Sequence, residues 1–404
     1  MPRAIVLLAV MAAVAVAAWV PVGPDGGSVA ALAVSPGQPT TLVSLLHSTD
    51  TLQPVYRTTD AGGAWEAAGS VPYLALVVID PFDPLTVYGS DGGGAIRRST
   101  DGGATWRSAS VPFYGQALGC DPYVPGRVYA AGGVYDTITL PMFSVSTDHG
   151  ESWSSSLVAD DTGYIYSLEV SPVVSGVIFL GGDYGMVYRS TDCGLTWEPR
   201  SNGLSPDNYV LALSASHADA GLVCAGTVSG VFRTTDTGGS WHQAGGPQYV
   251  MSVDMSPVEP ARGYASGYDT GSACYSTTDA GASWQRVSSI TSSVSLGGVI
   301  ADAESADGVW CGTSAGVVKS TDGGRTWNPR SAGIHSAVIT TVSVPGWNRE
   351  RVYAAVEGVG VHKSSDAGQT WERCTDFLAC GNICGIGLGQ GTGGDRLYAL
   401  EGSG

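Results

Sequence analysis

One phrase, Ser/Thr-x-Asp-x-Gly-x-x-Trp, occurs eight times along these 404 residues. It starts at Thr58, Ser99, Ser146, Ser190, Thr234, Thr277, Ser320 and Ser364, and its aspartates are Asp60, Asp101, Asp148, Asp192, Asp236, Asp279, Asp322 and Asp366. Successive aspartates lie 41, 47, 44, 44, 43, 43 and 44 residues apart. A period in the low forties marks an array of one repeated supersecondary unit and overrides the usual division of such a length into separate domains.

The phrase has the chemistry of a tight turn. A short carboxylate accepts bonds from the amides that follow it, and a hydroxyl two residues earlier bonds the same loop. The fifth-position glycine supplies positive φ, and the tryptophan buries a large ring on the returning strand. Each part has a folding role, so the eight aspartates are read as structural.

Between copies run four strand-like segments separated by Gly and Pro. The third block illustrates them: Gly119-Cys120-Asp121-Pro122 ends a first strand and Val128-Tyr129-Ala130 forms a second. In the next, Val187-Tyr188-Arg189 leads into the motif and Trp197 opens the fourth strand. Four short strands per period in the forties describe a propeller blade, whereas stacked coils of a β-solenoid repeat faster.

The motif is the Asp-box, or BNR repeat. From about residue 19 to 404 the chain resembles Asp-box β-propellers: sialidases, xyloglucan hydrolases, sortilin-type ectodomains and the photosystem II assembly-factor family. The resemblance implies an all-β fold, a single β-propeller of about eight to nine four-stranded blades. It says little about activity, because those families include enzymes and binding proteins.

The ends qualify the blade count. Trp19–Gly23 reads as a fourth strand from a preceding blade. Ile383–Gly389 and Arg396–Ala399 read as the first two strands of a ninth module with no ninth motif. Either the N-terminal strand completes a mixed last blade or the chain is truncated in that blade; truncation is the expectation.

Residues 1–18 read as a secretory signal peptide, with Arg3, an apolar run over Ala4–Val14 and the small-residue site Ala15-Val16-Ala17. The chain is therefore expected to be secreted, periplasmic or on the cell surface, without a membrane span in its mature form. Its net charge of −17 argues against nucleic-acid partners. Export permits disulfides, for which Cys374, Cys380 and Cys384 are the candidates, while Cys224, Cys274 and Cys311 lie in strand patterns. Scattered histidines and the lack of a CxxC pair argue against a metal, and no cofactor is expected. Gly312–Gly316 matches GxSxG but falls at a hairpin, where no nucleophile elbow forms.

Basic residues precede the motif in six repeats: Arg57, Arg98, Arg189, Arg233, Lys319 and Lys363. They read as outer-strand side chains whose stems cover apolar surface.

Two groups are functional candidates. Glu169 and Asp254 occupy the first-strand position filled elsewhere by Ala33, Val78, Gly119, Ser214 or Ser343, on the strand that lines a propeller channel. They form a candidate acid/base or cation-binding pair, or are simply hydrated. The hairpins opposite the motif carry Asp91, Tyr135, Asp136, Asp183, Tyr184, Tyr268 and Asp269, and neighbouring loops add Asp160, Asp161, Tyr164, Asp207 and Tyr249. Rings beside carboxylates suit a glycan or a protein. The regular repeats favour a non-catalytic binding scaffold, with a glycoside hydrolase as the alternative. The three-arginine set of sialidases is not found, and the xyloglucan hydrolases place their two aspartates across a cleft between two propellers.

Overall fold

A computed structural model describes residues 28–402 except for 49–50, 136–138, 269–271, 290–293, 314–315, 331–338, 344–350, 357–359, 367–369, 375–381 and 392–393. It is a β-propeller. Seven antiparallel four-stranded sheets, over residues 29–72, 76–110, 114–157, 165–199, 210–245, 248–289 and 294–329, form blades 1 to 7. Each is a meander from one continuous segment, with its strands in chain order.

The innermost strand of each blade packs against that of the next, and Val294–Ala301 of blade 7 packs against Val29–Val34 of blade 1. The ring therefore closes at seven blades, not at the expected eight to nine. An eighth sheet, over residues 339–373, packs against a two-stranded sheet of Asn382–Gly391 and Gly394–Gly402, outside the ring among the described residues. Trp19–Gly23, the strand expected for a mixed blade, lies outside the described residues. Among the described residues the closure contacts are made by side chains. Trp310 of blade 7 and Val29, Leu32, Tyr56 and Trp65 of blade 1 share one buried cluster. The Trp65 indole N–H donates to the Arg330 carbonyl at 2.6 Å.

Motif turns punctuate the outer part of one face. In blade 5 the Thr234 hydroxyl donates to Asp236 at 2.6 Å and accepts the Gly238 amide at 3.1 Å, while Asp236 accepts the Ser240 amide at 2.9 Å. The same bonds recur in blade 1 around Thr58 and Asp60 and in blade 7 around Ser320 and Asp322. The turn needs two left-handed residues rather than one. Beside the glycine, Ala61, His149, Cys193, Thr237 and Ala280 have φ between 55° and 61°.

Three of the basic residues before the motif join blades. Arg189 of blade 4 donates to the Thr237 hydroxyl of blade 5 at 2.5 Å, and Arg233 of blade 5 to the Ala280 carbonyl of blade 6 at 2.7 Å. Arg98 reaches Glu151 of blade 3. Lys319 instead pairs with Asp302 at 2.6 Å and lies over the Trp310 ring, bracing the closure tryptophan. These bonds add to the stem packing inferred from sequence.

Candidate functional site

The innermost strand of a blade has a ladder partner on one side only. Its amides toward the channel need other acceptors. Blades 4 to 6 supply these from one register position. Glu169 accepts the Ala215 amide of blade 5 at 2.9 Å. The Ser214 hydroxyl accepts the Met255 amide of blade 6 at 3.0 Å and donates to Asp254 at 3.4 Å. Asp254 accepts the Ala301 amide of blade 7 at 2.8 Å. Glu169 and Asp254 thus share one level of the channel with Ser214 between them, each stitching its blade to the next.

Both residues are half-buried. Burial pushes the Glu169 carboxyl up to about 8, against the pull of the Ala215 amide and with a small contribution from the Asp254 charge. Burial also raises Asp254, to about 6, while the Ala301 amide, the Ser214 hydroxyl and the Met255 amide favour its ionised form. Two carboxyls displaced unequally can act as acid and base.

The opposite end of the same strands carries a second constellation. Five residues before the channel position stand Tyr73, Tyr114, Tyr164, Tyr209 and Tyr249, one in each of blades 2 to 6. Four are exposed, between 41% and 57%, and Tyr164 is 5% exposed. Tyr164 is turned in because its hydroxyl donates to the Tyr114 carbonyl at 2.6 Å. Tyr166 lies beside it, 5.4 Å from its ring centroid and 6.3 Å from that of Tyr209.

A β-bulge shapes this rim. The pairing of the first and second strands slips between Gly115 and Ala117, Ile165 and Ser167, Val210 and Ala212, and Val250 and Ser252. An extra residue bends a strand and re-aims its side chains. In blades 3, 4 and 6 the bend brings a tyrosine carbonyl onto a second-strand glycine, as where a Cβ on Gly182 would meet the Tyr164 oxygen, whereas blade 5 has Thr227 at this position.

The hairpins flank this rim. Asp183 accepts the Tyr164 amide at 2.9 Å and the Tyr166 hydroxyl at 2.8 Å, tying the hairpin to the first strand. Tyr184 beside it is exposed at φ 56°, and Tyr249 is held at φ 48°. A tyrosine in the left-handed region is strained, and such residues gather where a site is preorganised. Tyr268 is exposed. Asp91 is turned onto its own loop, accepting the Gly93 and Ala95 amides at 2.7 and 3.0 Å. Asp136, Asp269 and the Tyr135 side chain lie outside the described residues. Sequence reading passed over Tyr73, Tyr114, Tyr166 and Tyr209; for three of them, the signal was the constant five-residue offset from the channel position.

Among the described residues no group of three or more His, Cys, Asp or Glu is arranged to hold a metal ion. Cys374 is a free thiol, while Cys380 and the Cys384 side chain lie outside the described residues. No described helix is long and apolar enough to cross a membrane.

No protein-family model matches the chain. A xyloglucanase of Hypocrea jecorina (strain QM6a) is 32% identical over 120 residues, which is 29% of this chain and 14% of that enzyme. The chain thus spans a small part of that relative. Among solved structures, the GH74 xyloglucanase of Xanthomonas campestris matches with a TM-score of 0.61 at 15% identity, covering 88% of this chain and 69% of that one. An ancestral GH74 enzyme matches at 0.66 and 16% identity, covering 95% and 59%. YCF48 from Cyanidioschyzon merolae matches at 0.53 and 15% identity, covering 74% and 96%. A YCF48 bound to a D1 peptide scores 0.52 at 16% identity, covering 74% and 94%. At these identities the structural likenesses speak for the propeller fold alone.

Proposed function

We propose that this protein is an exported Asp-box β-propeller that binds a polysaccharide across the face opposite the motif turns. One observation carries the reading: a tyrosine at the same register in five consecutive blades, with four of the five rings exposed. Stacking rings at a repeated spacing match a ligand that is itself a repeat of flat-faced units. In this reading residues 1–18 direct export, and N-terminal sequencing of the exported protein tests that part.

The test of binding is affinity electrophoresis of the full chain in gels containing soluble glycans, with wild type compared to Tyr73→Ala, Tyr114→Ala, Tyr209→Ala and Tyr249→Ala combined. On the scale of aromatic contacts each lost ring costs about 0.5–1.5 kcal/mol. The combined variant should migrate unretarded while keeping the wild-type melting temperature. Equal retardation of both proteins by every glycan that slows either would refute the reading.

A glycoside hydrolase is the second reading. It draws on the local likeness to a xyloglucanase and on the unequal carboxyls of Glu169 and Asp254. It requires release of reducing ends from xyloglucan by wild type, lost in Glu169→Gln or Asp254→Asn.

A further inference from the structure

Basic side chains are unevenly shared between the two faces of the ring. The segments joining second to third strands and fourth to first strands hold the described aspartates Asp91, Asp160, Asp161, Asp183 and Asp207. Their basic residues in the seven-bladed ring are His47, exposed on blade 1, and Arg200, whose guanidinium is taken by Glu198 at 2.6 Å. Its side chain packs on Gly238, in the motif turn of the next blade. The other basic groups used by the fold, such as Arg98, Arg189 and Arg233, are drawn to the motif turns by the inter-blade bonds. The loops beside the tyrosines of blades 2 to 6 therefore carry a net negative charge.

These carboxylates are not equally engaged. Asp91 accepts bonds from its own loop, Asp183 from Tyr164 and Tyr166, and Asp161 from the Tyr188 hydroxyl at 2.7 Å. Asp160 and Asp207 are exposed. Asp207 is two residues from Tyr209, and between them Asn208 is 1% exposed with neither side-chain amide atom bonded among the described residues. Blade 5 thus presents an exposed carboxylate, an exposed ring and a polar group still lacking a partner within one short stretch.

We infer that the polysaccharide bound on the tyrosine face is an amino-sugar polymer, whose protonated amines sit among these aspartates while its pyranose faces stack on the tyrosines. This rests on the reading of that face as a glycan-binding surface. Anionic glycans are repelled by the rim, and neutral glycans gain the stacking without the charge. A cation near both a carboxylate and an aromatic face is attracted by each. A basic peptide would share the charge, but its side chains do not supply one flat ring per repeat to match one tyrosine per blade.

Titration calorimetry of the full chain tests this with five hexamers: glucosamine, N-acetylglucosamine, cellohexaose, galacturonic acid and lysine. The glucosamine hexamer should bind at least about tenfold more tightly than the neutral sugars, a gap of about 1.4 kcal/mol. Its affinity should fall as salt rises and as pH rises through the amine's titration. Asp207→Asn, an exposed change, should narrow that gap while leaving neutral-sugar binding unchanged, and Tyr209→Ala should weaken all sugars. Equal binding of neutral and amino sugars overturns the charge assignment and leaves the glycan reading intact. Hexalysine binding without any sugar overturns the sugar assignment, and tight binding of the galacturonate hexamer overturns the charge assignment. Wild type that binds no hexamer overturns both this inference and the proposed function.

Discussion

Glu169 shows how one side chain can carry two roles. It joins blade 4 to blade 5 through the Ala215 amide, and burial holds its carboxyl at about 8. A carboxyl raised above its unfolded value of about 4.3 stabilises the fold fully below that value, and the contribution fades as pH rises through about 8. Asp254 acts with the same sign, fading through about 6. The melting temperature should therefore fall from pH 5 to pH 9. Glu169→Gln keeps an acceptor for the amide and cannot ionise, so it should flatten the decline and melt higher than wild type at pH 9. For a domain of three to four hundred residues about 1 kcal/mol corresponds to roughly 1–2 °C. An unchanged pH profile in Glu169→Gln would rule out this residue as the source. On the acid side the motif carboxylates act with opposite sign: the Thr326 amide and hydroxyl hold Asp322 down to about 2. Gly182→Ala is the steric counterpart. Its Cβ would meet the Tyr164 carbonyl, a backbone atom, and should cost at least about 2 kcal/mol in urea melts, in the range of overpacking.

The motif turn and its preceding strand act as one element. The turn presents the Ala280 carbonyl outward, and the Arg233 guanidinium of the blade before grasps it. Arg233→Ala should lose about 1.5–3 kcal/mol, the scale for a hydrogen bond from a charged group. Arg233→Met keeps most of the stem, so comparing the two separates the bond from the packing. The two left-handed residues per turn give another test. Ala280→Gly relieves a strained φ of 57° and should be neutral or stabilising by up to about 1 kcal/mol. Gly281→Ala places a Cβ 2.5 Å from the Cys224 sulfur and should destabilise. If the two changes have equal effects in thermal melts, the φ argument fails at this turn.

For the whole molecule the decisive feature is how the ring shuts. Neighbouring blades are joined by the chain at every interface except that between blades 7 and 1, where among the described residues Trp310 and Trp65 pack and the Trp65 indole reaches the Arg330 carbonyl. Trp310→Ala should cost about 3–5 kcal/mol, the usual penalty for emptying a buried aromatic site. It should also raise protease sensitivity at the seam first. A protein ending after residue 330 should keep the wild-type melting temperature, because the sheets at 339–402 lie outside the ring. A large loss of stability in that shortened protein would show that the later sheets brace it.

Much of this fold was legible in the chain. The repeated motif, its period and the strand-and-turn punctuation implied four-stranded blades, because turn chemistry and strand alternation are local. The equivalence of Glu169, Ser214 and Asp254 could also be read, since it follows from the repeat register. The number of blades in the ring could not. It depends on the angle between packed sheets and on where Trp310 meets blade 1, a contact between residues more than two hundred positions apart. The same holds for the tyrosine rim: each ring is one residue in a local strand, and only bulges, blade packing and closure decide that Tyr73, Tyr114, Tyr209 and Tyr249 share a face and are exposed. Local hydrogen bonding belongs to the sequence, whereas the sum of seven wedges into a circle is a property of the packed molecule.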